Sequence, residues 1–281
     1  MIVLSLPQPF DASSVLGFLR MRQVSAIERI DENRVTRAVR VGDGVGVLDV
    51  TIGAERIDAD CSVPVPADDI RAMVARMLDL DADVEAFARH VGRDRILGPL
   101  VRARPGLRVP QFLDPFECVL RAVLGQQVTV RGATTLMNRV AMAFAGPDDI
   151  GGERDLRPAP SAAQIAGGGA EALEALGIMP ARAVALHRIA RAIAEGRVDL
   201  EALRGVPGAQ AQEALDALPG VGPWTAAYIR MRALGDRDAF PAADLGVLKA
   251  LRATPAAAER RARRWSPWRA YATMHLWRGA S

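Results

Sequence analysis

The stretch Leu218-Pro219-Gly220-Val221-Gly222-Pro223-Trp224-Thr225 is where residue type and spacing best fit a chemical task. An amphipathic helix over residues 213–217 runs into Leu-Pro-Gly-Val-Gly, and Pro223 suits the first turn of a second helix. Gly220 and Gly222, two positions apart, let the backbone turn tightly and approach a ligand without Cβ obstruction. The unpaired N–H groups that open the second helix, together with its dipole, would make a seat for a phosphate. The same glycine spacing also describes an ordinary turn between two helices.

Asp244 follows Phe240-Pro241-Ala242-Ala243 and precedes a helix expected over residues 245–252. A helix N-terminus favours a negative charge, and a single ionised carboxylate can stabilise a developing carbocation or orient an attacking water. Asp244 equally reads as a plain helix cap. Aromatic residues make up only 5% of the chain, yet Trp224 and Tyr228 stand four apart and share a helix face. Trp277 closes a last helix expected over residues 268–277. Electron-rich rings of this kind bind a cationic ligand by roughly 0.5–2 kcal/mol once desolvated, although they also serve as core. Trp265 and Trp268 read as core. Lys249, the one lysine, lies about a turn and a half beyond Asp244.

An α+β organisation is expected to position these groups. Residues 24–30, 34–40 and 45–52 carry β-branched side chains in rough alternation and read as strands, the last two joined by Gly42-Asp43-Gly44. A helix over 14–21 would pack on that sheet, and helices over 69–80 and 84–91 would lead out of it. Beyond about residue 110 the pattern is helical. Asp114-Pro115-Phe116-Glu117, Thr254-Pro255 and Ser266-Pro267 look like cap-then-proline helix starts. Residues 146–160 read as a loop, and Gly167-Gly168-Gly169 as a break between short helices.

With half of its 281 residues hydrophobic, the chain has ample core for a globular protein. No run of about 18 apolar residues is present, so no membrane span is expected. The apolar residues 1–10 lack a basic leader and are interrupted by Pro7 and Pro9. Two cysteines are too few for a disulfide framework or a four-thiolate cluster, which suits a reducing, cytoplasmic setting. The net charge of +3 is modest, but residues 252–269 hold six arginines against Glu259, and residues 93–131 hold seven. Two basic segments suit a polyanion such as DNA; they also suit a coding bias that puts arginine in place of lysine.

The Leu-Pro-Gly-Val-Gly turn, followed at the matching distance by Asp244, resembles the helix-hairpin-helix element of the base-excision DNA glycosylase superfamily. The likeness is closest to the bacterial inducible 3-methyladenine DNA glycosylase II group. It runs from Phe18 to His275-Leu276-Trp277, through Ala103-Arg104-Pro105-Gly106-Leu107-Arg108, Arg121-Ala122-Val123-Leu124-Gly125-Gln126 and Arg264-Trp265-Ser266-Pro267-Trp268-Arg269. It implies a small N-terminal antiparallel-sheet domain over residues 1–90. A mostly helical body over 91–281 would follow, with subdomains of about 112–235 and of 91–111 plus 236–281.

The resemblance further implies a monofunctional enzyme that flips an N-alkylated purine, such as 3-methyladenine, from duplex DNA. Asp244 would stabilise the oxocarbenium-like state as the N-glycosidic bond is hydrolysed, and Trp224, Tyr228, Trp277 and Phe18 would line the base pocket. Gln126, Gln127, Val128, Gly220, Gly222 and Thr225 would contact DNA, with Gln127 as the wedge that fills the gap. The main-chain carbonyls of Asp216, Leu218 and Val221 would hold a monovalent Na+ or K+ that bridges to a phosphate. No cofactor is implied for the chemistry. Relatives that also cut the backbone place a lysine where this chain has Trp224, so no strand cleavage is expected. A monomer, cytoplasmic and nucleoid-associated, is implied as well. Gln127 and Leu245 depart from the pattern, which has leucine in the best-known members and tyrosine in some relatives. Two alternatives stand beside this reading: the same fold acting on deaminated, oxidised or mismatched bases, and a DNA-binding protein without activity. A mere binder would need neither Asp244 nor the aromatic set.

Overall fold

A computed structural model describes residues 1–42, 44–146 and 155–279. Asp43 of the expected turn and residues 147–154 of the expected loop lie outside them. Five strands, β1 (Ile2–Ser5), β2 (Glu28–Ile30), β3 (Arg34–Val41), β4 (Gly44–Ile52) and β5 (Arg56–Cys61), form one antiparallel sheet in the order β1-β5-β4-β3-β2. β3 and β4 pair along their whole length, from Arg34 opposite Thr51 to Val41 opposite Gly44. Their valines fit a pleated surface, one face of which sets Ala38 and Val47 against Leu156 while the other is covered by helices. The helices α1 (Ala12–Met21) and α2 (Ala67–Leu78) supply that cover, packing Val15, Leu16, Val74 and Met77 on Val35, Leu48, Val50 and Ile57.

Two sequence expectations change here. β5 went unread because Arg-Ile-Asp-Ala-Asp-Cys offers little apolar signal, and β1 was masked by the prolines behind it. Residues 24–27 form a turn rather than a strand, with the Ile27 and Glu28 amides both donating to the Val24 carbonyl. Val24 and Ile27 are thereby free to enter the helical core.

The body consists of α3 (Val84–Val91), α4 (Leu97–Ala103), α5 (Pro115–Leu124), α6 (Val130–Phe144), α7 (Ala162–Ala175), α8 (Pro180–Ala194), α9 (Gly208–Asp216), α10 (Pro223–Arg232), α11 (Leu245–Leu251), α12 (Pro255–Ala262) and α13 (Arg269–Gly279). Asp114 and Thr254 cap α5 and α12 as their sequences require, and Gly169 breaks α7 with φ 80°. The expected cap at Ser266 is not found. The Ser266–Pro267 peptide is cis, α13 begins at Arg269, and the Ser266 hydroxyl donates to Asp238.

Two cores divide the body. Helices α5 to α9 bury one around Val119, Leu120, Leu186 and Leu215, and α3, α4 and α11 to α13 bury another around Phe87, Val247 and Trp265. α10 serves both, sending Ala226 and Ile229 into the first and Met231 into the second. Side chains on its remaining face therefore lie between the two cores. Among the described residues no helix is long and apolar enough to cross a membrane.

Candidate active site

The hairpin joins α9 to α10. Gly220 has φ +78°, and a Cβ there would stand 2.8 Å from the Ala185 Cβ, so both backbone and space demand glycine. Gly222 differs. It is the extended N-cap of α10 (φ −93°, ψ 176°), and a Cβ there would meet nothing within 4 Å. No side chain caps α10, so its first amides remain available to an outside acceptor.

The α5–α6 loop leans on this turn. Gln126 Nε2 donates to the Gly220 carbonyl and to the Thr225 hydroxyl, both at 3.0 Å. Thr225 is buried and its hydroxyl serves this link, while Gln126 is half-buried. Gln127, beside them, adopts φ +55° and is exposed, a left-handed conformation uncommon for a residue with a Cβ. Val128 next to it is exposed too.

Asp244 sits where three elements meet. As N-cap of α11 it accepts the Val247 amide on Oδ1 at 3.0 Å. The same oxygen accepts Trp277 Nε1 from α13 at 2.7 Å, and Oδ2 accepts Trp224 Nε1 from α10 at 3.0 Å. Gly246 makes the first of these possible, since a Cβ there would stand 2.9 Å from the Trp277 ring. The indoles continue into a line of rings. Trp224 stacks on Tyr228 at 5.5 Å between centroids, Tyr228 lies 6.4 Å from Trp277, and Trp277 stacks on the buried Phe18 of α1 at 6.0 Å. The four expected pocket residues and Asp244 thus form one constellation. Lys249 is exposed on α11. Trp265 and Trp268 are buried in the second core, in agreement with their reading as core.

Two residues that the sequence reading missed belong to the same place. The Arg22 guanidinium carbon lies 3.9 Å from the Phe18 ring centroid and that of Arg232 lies 4.5 Å from it. Burial pushes Arg22 below its ordinary pKa, against the opposing pull of Tyr228 and Asp244. A signal was present: Arg22 follows Phe18, and Arg232 follows Tyr228, by one helical turn.

Known proteins are similar to this chain. The profile of the AlkA N-terminal domain matches residues 1–114, and that of the HhH-GPD superfamily of base excision DNA repair proteins matches residues 120–268. DNA-3-methyladenine glycosylase 2 of Escherichia coli is 34% identical over 99% of this chain and 96% of its own length. The chain belongs to the HhH-GPD superfamily. Another relative, the probable bifunctional transcriptional activator/DNA repair enzyme AlkA of Mycobacterium tuberculosis, is 36% identical over 96% of this chain. The chain spans 55% of that relative's length. Among solved structures, a 3-methyladenine DNA-glycosylase from Archaeoglobus fulgidus superposes with a TM-score of 0.87 at 20% identity, covering 100% of this chain and 98% of that one. The HhH-GPD match contains the α5–α6 loop, the hairpin and Asp244. Phe18 and Arg22 come from the AlkA N-terminal domain match, and Trp277 lies beyond both.

Proposed function

We propose that this HhH-GPD chain is a monofunctional DNA glycosylase that extrudes an N-alkylated purine such as 3-methyladenine from duplex DNA and hydrolyses its N-glycosidic bond. The observation that carries the proposal is the Asp244 carboxylate, clasped by the Trp224 and Trp277 indole N–H groups and the α11 N-terminus. Donors that carry no charge of their own fix the carboxylate's position, which is what stabilising an oxocarbenium-like sugar requires. A base that is already cationic leaves without a dedicated acid, and the rings of Trp224, Tyr228 and Trp277 offer it stacking faces.

The amides that open α10 suit a DNA phosphate, and Gln127, exposed on a tight loop, suits the gap left by the extruded base. The C-terminal carbonyls of α9 fit a monovalent cation: Asp216 ends the helix, and the Leu218 carbonyl accepts only a turn bond from Val221 among the described backbone contacts, leaving lone pairs for the ion. Asp216, Leu218 and Val221 would hold the ion by their main-chain oxygens, and it would add positive charge facing the phosphate. Trp224 occupies the position where a lyase would carry its amine, so hydrolysis ends at an abasic site. A monomer is expected to suffice, since every group named comes from one chain.

Mass spectrometry of bases released from methylated duplex DNA tests this directly. Free 3-methyladenine is expected, with no strand nick and no borohydride-trapped adduct. A trapped adduct, or release of oxidised purines alone, would contradict the proposal.

The phosphate role has its own test. Gly222→Val leaves the fold undisturbed because the space there is open, yet it should weaken binding to every DNA sequence by about tenfold, because phosphate contacts carry no base information. Fluorescence anisotropy on several unrelated duplexes measures this. A loss confined to one sequence would exclude the phosphate role.

A further inference from the structure

Arg22 is the C-cap of α1, at the edge of the ring line, and main-chain bonds tie it down. Its Nη1 donates to the Phe18 carbonyl at 3.4 Å, and its own carbonyl accepts Arg121 Nη1 at 2.7 Å. Arg121 is in turn held by the buried carboxylates of Glu28 and Glu117, at 2.9 and 2.6 Å. The guanidinium therefore rests on Phe18 and lies 5.9 Å from the Trp277 ring, the same ring whose Nε1 holds Asp244. Arg232 approaches Phe18 as well. Two guanidinium groups thus stand by a ring line that carries one carboxylate.

We infer that Arg22 is a specificity-determining residue, whose fixed positive charge offsets Asp244 and lowers the preference of the site for a cationic base over a neutral one. The inference rests on the glycosylase reading. Tryptophan and tyrosine faces beside a carboxylate attract positive charge, and without Arg22 they would favour a cationic base strongly. A second cation a few ångströms away opposes that attraction through Coulomb repulsion in a partly desolvated site. A neutral base meets no such repulsion and can accept a hydrogen bond from the guanidinium. Arg22 in this way broadens the range of bases that the pocket admits.

The test compares release of cationic 7-methylguanine and neutral hypoxanthine from otherwise identical duplexes, in single turnover, by the full chain and by Arg22→Met and Arg22→Lys. In Arg22→Met the ratio of cationic to neutral release should rise by about tenfold or more. In Arg22→Lys, which keeps the charge, it should stay within about threefold of the unsubstituted protein. A purely structural loss would slow both bases alike and leave the ratio unmoved, and thermal unfolding midpoints report any such loss separately. An unchanged ratio in Arg22→Met, or an equal rise in Arg22→Lys, overturns the inference while the glycosylase reading stands. If the unsubstituted protein releases neither base and no 3-methyladenine, the glycosylase reading falls, and the inference with it; release of 3-methyladenine without hypoxanthine overturns the inference alone, since a pocket broadened by Arg22 must admit the neutral base.

Discussion

Asp244→Asn is expected to lower the single-turnover rate of base release by at least about a thousandfold, the scale of losing a fixed charge at a developing one. Affinity for a duplex holding an abasic-site analogue should change only a few-fold, because the hairpin amides and the α5–α6 loop are untouched. The substitution also separates the two readings of this residue. Asparagine caps a helix as well as aspartate does, so its Oδ1 can still accept the Val247 amide and α11 should hold. What disappears is the negative charge, along with one acceptor: the new amide nitrogen would face the Trp224 Nε1 donor that Oδ2 now accepts. A residue that only caps would lose about a few tenths of a kcal/mol of stability and no activity. Release within tenfold of the unsubstituted rate would remove Asp244 from the chemistry.

Most of the fold and the chemical centre of the site could be read in the sequence, for reasons that differ by element. The hairpin was visible because glycine and proline act locally: Gly220 takes a positive φ and Gly222 leaves the start of α10 open, whereas the close approach of Ala185 to Gly220 could not be read from the sequence. The α5 and α12 starts were visible for the same reason, since a cap and a proline act within one turn. Ser266-Pro267 carries the same letters and fails, because a tertiary partner, Asp238, takes the serine hydroxyl. β5 shows the opposite case, a weak local pattern rescued by pairing on both sides with β1 and β4.

Arginine was the residue type hardest to place. Residues 93–131 read as one basic segment, yet Arg108 and Arg121 within it are interior residues. Arg108 donates to the carbonyls of Asp79, Leu80 and Ala82, and Arg121 to two carboxylates. Sequence gives the charge of an arginine but not the depth at which a long side chain ends. That gap hid Arg22 and Arg232 as well, whose guanidinium groups reach rings one helical turn behind them.

Arg121→Met is expected to destabilise the protein by about 3–5 kcal/mol, because it leaves an uncompensated buried charge. Arg37 and Arg121 together face Glu28 and Glu117 at the joint between the sheet and α5, with all four side chains nearly inaccessible. Burial would raise the Glu117 carboxyl, but Arg37 and Arg121 overcome it and hold it below its ordinary range. Without Arg121, two carboxylates share one guanidinium, and the bond that fixes the Arg22 carbonyl is lost with it. Thermal unfolding should register the change as a drop on the order of 10 °C. Pairing Arg121→Met with Glu117→Gln removes one charge of each sign, so the double variant should recover part of the loss seen in the single one. A single variant that unfolds within about 1 kcal/mol of the unsubstituted protein would mean that water already reaches this joint and screens it. In that case these ion pairs would add little to what holds the sheet to the body.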